Sequence, residues 1–357
     1  MFTKIQYKSV FLYINHHLSF MILVTGATGI LGRVIVLELL KRGKTVRAAK
    51  RKSSNLEEVK DSFRFYTENP TEFFNKIEWV NVDFEDIHSL QNALNGVEEV
   101  YHCAAKVSFH PKDKRKMYKT NIEGTKQLLY ASENSSVKKF LFVSSIAVLD
   151  GLNENGELDE SSDFNPKVDH SSYAISKHFS EMEVWRASAE GLNVAIVNPG
   201  LIIGSGNWNE SSGTLFKELG ENAYTFSGGT SYVDVRDVAK ISVELMENNI
   251  FGERFILISE NKKYEEIANF IKQKLGKSAT KIIPNGLLKV GVFLNSILGW
   301  LISPLKMANK VNVQSVTEFN NISNKKIKEK LNYEFIPLKE SLAFHLENYK
   351  KDKNFNK

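Results

Sequence analysis

The chain has 357 residues, 42% of them apolar and 25% charged, with a formal net charge of +5. This is an ordinary globular balance, with room for one large α/β domain or two moderate ones, and its basic excess, scattered and helped by a lysine-rich tail at 350–357, is too mild to argue for a nucleic-acid partner. Cys103 is the single cysteine, which excludes an intrachain disulfide and any cysteine-based zinc cluster and fits a reducing cytoplasm.

Residues 1–20 carry lysines, one short apolar run, Val10-Phe-Leu-Tyr-Ile14, and no small-residue cleavage site. They read as an appendage outside the chemistry, as an upstream start codon would add, and not as a secretory signal. From Met21 to Val197 strand and helix signals alternate, which calls for a parallel sheet with helices on both faces. Strands are expected over 22–25, 46–49, 77–82, 97–102, 140–144 and 194–197. Helices are expected over 30–42, stopped by Gly43, and over 56–60, 87–94, 117–133 and 173–190. The run Lys112-Asp-Lys-Arg-Lys116 reads as a solvated helix entry.

Glycines at 26, 29 and 32 follow the first strand and open the first helix. Gly26 allows a tight turn, Gly29 lets backbone N–H groups approach a pyrophosphate, and Gly32 lets helix pack on strand, while the helix N-terminus favours the anion. At the end of the second strand a carboxylate would hold a ribose 2′-hydroxyl. Arg51 stands there instead, between Lys50 and Lys52, which favours NADP(H) with NAD(H) still open; alternatively these are exposed loop charges. Asp83 is a candidate to accept an adenine amino proton, or else to cap the helix beginning near Asp86.

Tyr173 and Lys177 lie one helical turn apart on the same face, so the ammonium can reach toward the phenol. Tyrosine ordinarily titrates near pH 10, and a useful acid at neutral pH needs roughly 3 to 4 kcal/mol of electrostatic help, which a lysine cation and an oxidised nicotinamide can give. Ser145 lies upstream as a hydrogen-bonding hydroxyl. Asn121, on a helix facing the site, supports a water relay or serves helix packing. His102, among apolar neighbours, reads as a satisfied semi-buried histidine, and His110 as a rim residue.

Beyond Pro199 the rhythm breaks. Residues 204–229 are rich in glycine, serine and asparagine, as a mobile pocket wall would be, 232–238 reads as a return to the sheet domain, and 263–346 reads as mostly helical. The expected organisation is an extension at 1–20, a Rossmann-type doubly wound domain from 21–200 and 231–260, a smaller, mostly helical substrate lobe from 201–230 and 261–350, and a polar tail at 351–357. The apolar stretch 287–305 is broken by Lys289, Asn295, Ser296 and Pro304, which speaks against a membrane-spanning helix. It lines the pocket or forms an interfacial surface for lipid-like substrates.

Thr25-Gly-Ala-Thr-Gly-Ile-Leu-Gly32, Val82-Asp83, His102-Cys-Ala-Ala105, Asn121-Ile-Glu-Gly-Thr125, Val143-Ser-Ser-Ile-Ala-Val148, Tyr173-Ala-Ile-Ser-Lys177 and Asn198-Pro-Gly-Leu-Ile-Ile-Gly204 occur in the order of the successive motifs of the extended short-chain dehydrogenases/reductases. The chain resembles that family over 21–349, and within it the dihydroflavonol-reductase and 3β-hydroxysteroid-dehydrogenase-like branch. The resemblance implies catalytic Ser145, Tyr173 and Lys177, with Asn121 in support. For the coenzyme it implies Thr25, Gly26, Thr28, Gly29, Ile30, Leu31, Gly32, Arg51, Asp83, Phe84, Ala104, Ala105, Lys106, Val143 and Pro199, together with Tyr173 and Lys177, and it implies no metal. Two departures concern the substrate side: Leu149-Asp150 stands where many relatives have Tyr-Gly, and Asn198 where Arg is common.

The expected reaction is NADPH-dependent reduction of a carbonyl on a hydrophobic small molecule, or oxidation of the alcohol, with Tyr173 as acid and Ser145 stabilising the developing oxyanion. Sugar-nucleotide epimerisation or dehydration uses the same triad. Its enzymes often carry Arg six or seven residues before the Asp at position 237, where this chain has Thr230, and dehydratases place Asp-Glu after the hydroxyl residue, where Ile146-Ala147 cannot titrate. A catalytically silent NADP-binding redox sensor is the remaining reading. A homodimer through the helices at 117–133 and 173–190, as relatives often form, is expected to be possible, as is peripheral contact with a membrane.

Overall fold

The computed structural model describes residues 20–208, 211–298 and 306–355. Residues 1–19 of the extension expected at 1–20, and the 299–305 part of the apolar stretch, Trp300 included, lie outside them.

The strands are β1 (Met21–Thr25), β2 (Thr45–Lys50), β3 (Glu78–Asn81), β4 (Val97–His102), β5 (Lys139–Val143), β6 (Asn193–Pro199), β7 (Leu201–Ile203), β8 (Tyr224–Thr225), β9 (Gly229–Asp234), β10 (Glu253–Leu257), β11 (Glu260–Lys263) and β12 (Lys281–Ile282). Among the described residues β3-β2-β1-β4-β5-β6-β10 form a seven-stranded sheet in that order, with every pair parallel. Such a sheet must be apolar on both faces, and alternate residues supply the two sides. Ile22, Val24, Leu141, Ala195 and Val197 face one core with α1 (Ile30–Lys41). Leu23, Phe140, Phe142, Val194 and Ile196 face the other.

The remaining helices are α2 (Leu56–Ser62), α3 (Pro70–Asn75), α4 (Ile87–Leu94), α5 (Lys114–Tyr118), α6 (Gly124–Glu133), α7 (Ser172–Ala189), α8 (Leu215–Glu221), α9 (Val235–Glu247), α10 (Tyr264–Lys274), α11 (Asn285–Leu298), α12 (Lys310–Thr317), α13 (Lys325–Leu331) and α14 (Leu338–Phe355). Helix α9 joins α1 over the first core, and α4, α6 and α7 cover the second. Helix α1 stops where expected, with Gly43 at φ 72°, a left-handed conformation that favours glycine. The single helix expected over 117–133 is instead α5 and α6 joined through a π-helical turn, Lys119–Glu123, a geometry with no periodicity of its own to read.

Three further departures concern the smaller lobe. Tyr232 to Asp234 do not rejoin the large sheet: β9 pairs with β7 and β11 in a separate three-stranded sheet, and the return is made by α9 and β10. The short β8–β12 pair is not legible in the sequence, because two residues are too few to show alternation. The tail expected at 351–357 is helical through Phe355, and Asp352 accepts a hydrogen bond from Trp208 Nε1 at 2.6 Å and pairs with Arg64.

Helix α14 is locked to β7 and β9 by a buried polar network. His345 Nδ1 is hydrogen-bonded to Ser205 Oγ at 2.7 Å and its Nε2 to Asp234 Oδ2 at 3.1 Å, while Arg236 pairs with the same carboxylate at 2.7 Å. These two partners hold the Asp234 carboxyl well below the usual range against the pull of burial. Removing one member of such a buried group leaves the others uncompensated. Asp234→Ala is expected to cost about 3–5 kcal/mol in urea unfolding, and a loss under 1 kcal/mol would show that the network does not hold the lobe.

Candidate active site

At the β1/β4 junction the strand order reverses, and there Gly26 turns with φ 65°. A side chain at 26 would meet the Ala104 backbone N at 2.7 Å, and one at 32 would overlap the Gly26 carbonyl. Both glycines are therefore required by close backbone packing as well as by the turn. Gly29 is the N-cap of α1 with no side-chain cap, and the first turn of α1 carries no acidic residue. The first-turn N–H groups at Ile30, Leu31 and Gly32 thus face a small-residue cradle suited to a pyrophosphate. Sequence reading missed Arg33. Its buried guanidinium donates to the Thr28 carbonyl, to the Gly29 carbonyl at 3.2 Å and to both carboxylate oxygens of Glu58 at 2.7 and 2.9 Å, stiffening the cradle from behind.

Arg51 is exposed at the end of β2, its N–H donating to Ser54 Oγ at 3.1 Å, while Lys50 donates to Asn81 Oδ1 at 2.7 Å. Asp83 does not cap α4. That role falls to Asp86, which accepts from the His88 N–H, and Asp83 accepts from the Glu85 N–H at 3.0 Å in a tight turn. Phe84 packs edge-on to His102, with ring centroids 5.7 Å apart. His102 is hydrogen-bonded to Thr25 Oγ1 at 2.6 Å and Thr125 Oγ1 at 2.9 Å, so it is satisfied as expected, but fully buried rather than semi-buried. His110 accepts from the Lys112 N–H.

Ser145 follows β5 and Tyr173 opens α7, which brings their side chains together. Burial raises the Tyr173 phenol above its ordinary range, and the neighbouring Ser145 hydroxyl opposes it. Lys177 is not among the groups that shift the phenol in this geometry. The Lys177 ammonium instead donates to the Val143 carbonyl at 2.6 Å and lies 4.1 Å from the centre of the Phe142 ring. Burial pushes Lys177 down to about 7, against Glu181 and Cys103, which raise it. Asn121 uses its whole side chain as a clamp. Its Oδ1 accepts from Lys106 N at 2.7 Å, and its Nδ2 donates to the Lys106 carbonyl at 3.0 Å and to Ser176 Oγ at 2.9 Å. Ala104, Ala105 and Lys106 are thereby held beside the start of α7, while Pro199 closes β6, which β5 separates from β4 in the sheet order.

On the open side Phe109 is 48% exposed and its ring lies 6.1 Å from that of Tyr173, a contact that a lone phenylalanine in a loop could not announce. Helix α11 exposes Leu287, Val290 and Phe293. No helix among the described residues is long and apolar enough to cross a membrane, and no group of His, Cys, Asp and Glu among them is arranged to hold a metal ion.

The model of the NAD dependent epimerase/dehydratase family matches residues 22–257. The chain belongs to this family. Sterol demethylase protein B of Methylococcus capsulatus is 30% identical over 271 residues, covering 75% of this chain and 78% of that one. Dihydroflavonol 4-reductase of Gerbera hybrida is 28% identical over 267 residues, covering 70% and 71%. The crystal structure of Gre2 from Candida albicans in complex with NADPH superposes with a TM-score of 0.69 at 20% identity, covering 93% of this chain and 99% of that one, a likeness of fold. As a member of the epimerase/dehydratase family the protein is an NAD(P)-dependent oxidoreductase of the extended short-chain type, and the glycine cradle fits a nicotinamide dinucleotide.

Burial pushes His102 down to about 3 from 6.5. A base with a lowered folded pKa binds fewer protons when folded, so stability present above pH 6.5 is lost as pH falls toward 3. Between pH 7 and 5 the parent is expected to lose about 2 kcal/mol more unfolding free energy than His102→Gln. Equal losses in urea titrations of the two proteins would contradict this.

Proposed function

We propose that the protein is an NADP-dependent reductase acting on a carbonyl group of a hydrophobic small molecule, or on the matching alcohol in reverse. The observation that carries this reading is the placing of Tyr173 against Ser145, one helical turn before the buried Lys177, in a sheet whose strand order reverses at the glycine turn.

The bound coenzyme supplies the hydride. Tyr173 delivers its phenolic proton to the oxygen of the substrate as charge develops there, and Ser145 Oγ donates a hydrogen bond to the same oxygen. The Lys177 ammonium holds the nicotinamide ribose and favours the phenolate that Tyr173 leaves behind. Thr25, Thr28 and the first-turn N–H groups of α1 would hold the pyrophosphate, Asp83 and Phe84 the adenine, and Ala104, Ala105, Val143 and Pro199 the nicotinamide. Exposed Arg51 favours a 2′-phosphate, since no carboxylate ends β2.

Two features support a hydrophobic substrate over a sugar nucleotide. Phe109 presents an aromatic surface beside Tyr173, and Ile146 and Ala147, directly after Ser145, cannot move protons as a dehydratase requires. The test is NADPH and NADH oxidation over a panel of aromatic aldehydes, flavonoid-like ketones, sterols and nucleotide sugars. Turnover confined to the nucleotide sugars would overturn the reading.

Tyr173→Phe is expected to lower kcat by about 10²–10⁴ while the Kd for NADPH, from fluorescence titration, stays within about threefold. A variant that reduces at the parent rate ends the acid assignment. Arg51→Ala is expected to raise the KM for NADPH by roughly 10- to 100-fold, the worth of one charge-assisted contact to phosphate, and to leave the KM for NADH unchanged. Parallel changes for both coenzymes would remove Arg51 from the 2′-phosphate.

A further inference from the structure

Lys177 carries its ammonium into a site where, among the described residues, no carboxylate touches it: its contacts are the Val143 carbonyl and the Phe142 ring. One helical turn further along α7, on the same face, lies Glu181, only 4% exposed. Its Oε2 accepts from Ser144 Oγ at 2.5 Å and from Asn198 Nδ2 at 3.2 Å, and its Oε1 accepts from Arg254 Nη1 at 3.3 Å.

These contacts converge on the segment that carries the chemistry. Ser144 sits between Val143, whose carbonyl holds Lys177, and Ser145, and the same Asn198 amide donates to the Ser145 carbonyl at 3.1 Å. Arg254 is itself fixed. From β10 it donates to the carbonyls of Glu160 at 2.9 Å and Ser162 at 3.1 Å and pairs with Asp163 at 3.2 Å. Its strand lies beside β6, with Arg254 paired to Ile196, two residues before Asn198. The guanidinium that meets Glu181 thus arrives from the strand beside Asn198. A buried ion pair contributes little to stability against an apolar replacement, and its position directly behind a catalytic segment points to function.

We propose that Glu181, braced by Arg254, is a positioning residue of the reductase site: it is the counter-charge of the Lys177 ammonium and the tether of the segment running from Val143 to Ser145. This rests on the reading of Lys177 as a catalytic cation. Around Lys177 stand Tyr173 and Glu181 from its own helix, with His102 and Cys103 from the end of β4. Around Glu181 stand His178 from its own helix and Arg254, and beyond them His170, Asp150 and Asp163. Glu181 is the carboxylate of that set that opposes the loss of the Lys177 proton.

The test is the pH dependence of kcat/KM with NADPH, together with the pH dependence of the NADPH Kd, which needs no turnover. In the parent both worsen above the pH at which Lys177 loses its proton. Glu181→Gln is expected to move that alkaline limb down by about one pH unit in both measurements, giving roughly tenfold less activity at pH 8 with less than about threefold change at pH 6. Glu181→Asp, which keeps the charge, should hold the limb within about 0.3 unit. If Glu181→Gln does not fold, the paired change Glu181→Met with Arg254→Met, an apolar replacement such cores tolerate, is expected to give the same shift. A limb unmoved in the neutral variants, with activity lowered equally at every pH, overturns the proposal. A shift in NADPH binding in a protein that reduces no carbonyl sustains it and instead removes the reductase reading.

Discussion

Between the end of β1 and the end of β4 the backbones approach so closely that residue 26 has no room for a side chain, and the turn there runs at positive φ. Only glycine satisfies both conditions without strain. From this contact follow the entry angle of α1, the exposure of its first-turn N–H groups and the placement of Ala104 and Ala105 at the sheet edge. The strand order reverses at the same point, so the cleft that opens above it is where a doubly wound sheet receives its ligand. Arg33 reinforces the arrangement from below, bonding the cradle carbonyls to Glu58, which also accepts from the Asn207 N–H in the smaller lobe.

Electrostatics around Tyr173 depend on burial as much as on charge. Desolvation works against both ionised partners, raising the phenol and lowering the amine. A protein that takes a lysine this far from water must oppose that penalty with fixed charges and dipoles. Here the opposition is distributed: a carbonyl and an aromatic face touch the ammonium, and a carboxylate stands one turn away. The smaller lobe uses the same logic for stability, closing His345, Asp234, Ser205 and Arg236 into one satisfied group.

Much of this is legible in the order of the amino acids. The alternation of Ile22, Leu23 and Val24, and of Phe140, Leu141 and Phe142, announces strands buried on two faces, and glycine spacing after the first strand announces the cradle. Ser145, Tyr173 and Lys177 can be named as candidates because two of them share a helix face. Less legible are features made by residues distant in sequence. The π-turn that aims Asn121 at Lys106 and Ser176 has no repeating pattern. β9 resembles a strand of the large sheet in composition, and only its pairing with β7 and β11 assigns it to the small one.

The sequence by itself determined most elements of the large sheet, the doubly wound class and the family, and offered Ser145, Tyr173 and Lys177 as candidates, because periodicity and local motif spacing are encoded within one or two turns of chain. Tertiary structure alone decided what surrounds them. That Lys177 points to the Val143 carbonyl, that Phe109 reaches Tyr173, and that Arg254 meets Glu181 from the strand beside Asn198 are consequences of elements brought side by side. Register between strands distant in the chain depends on packing, which no local pattern records.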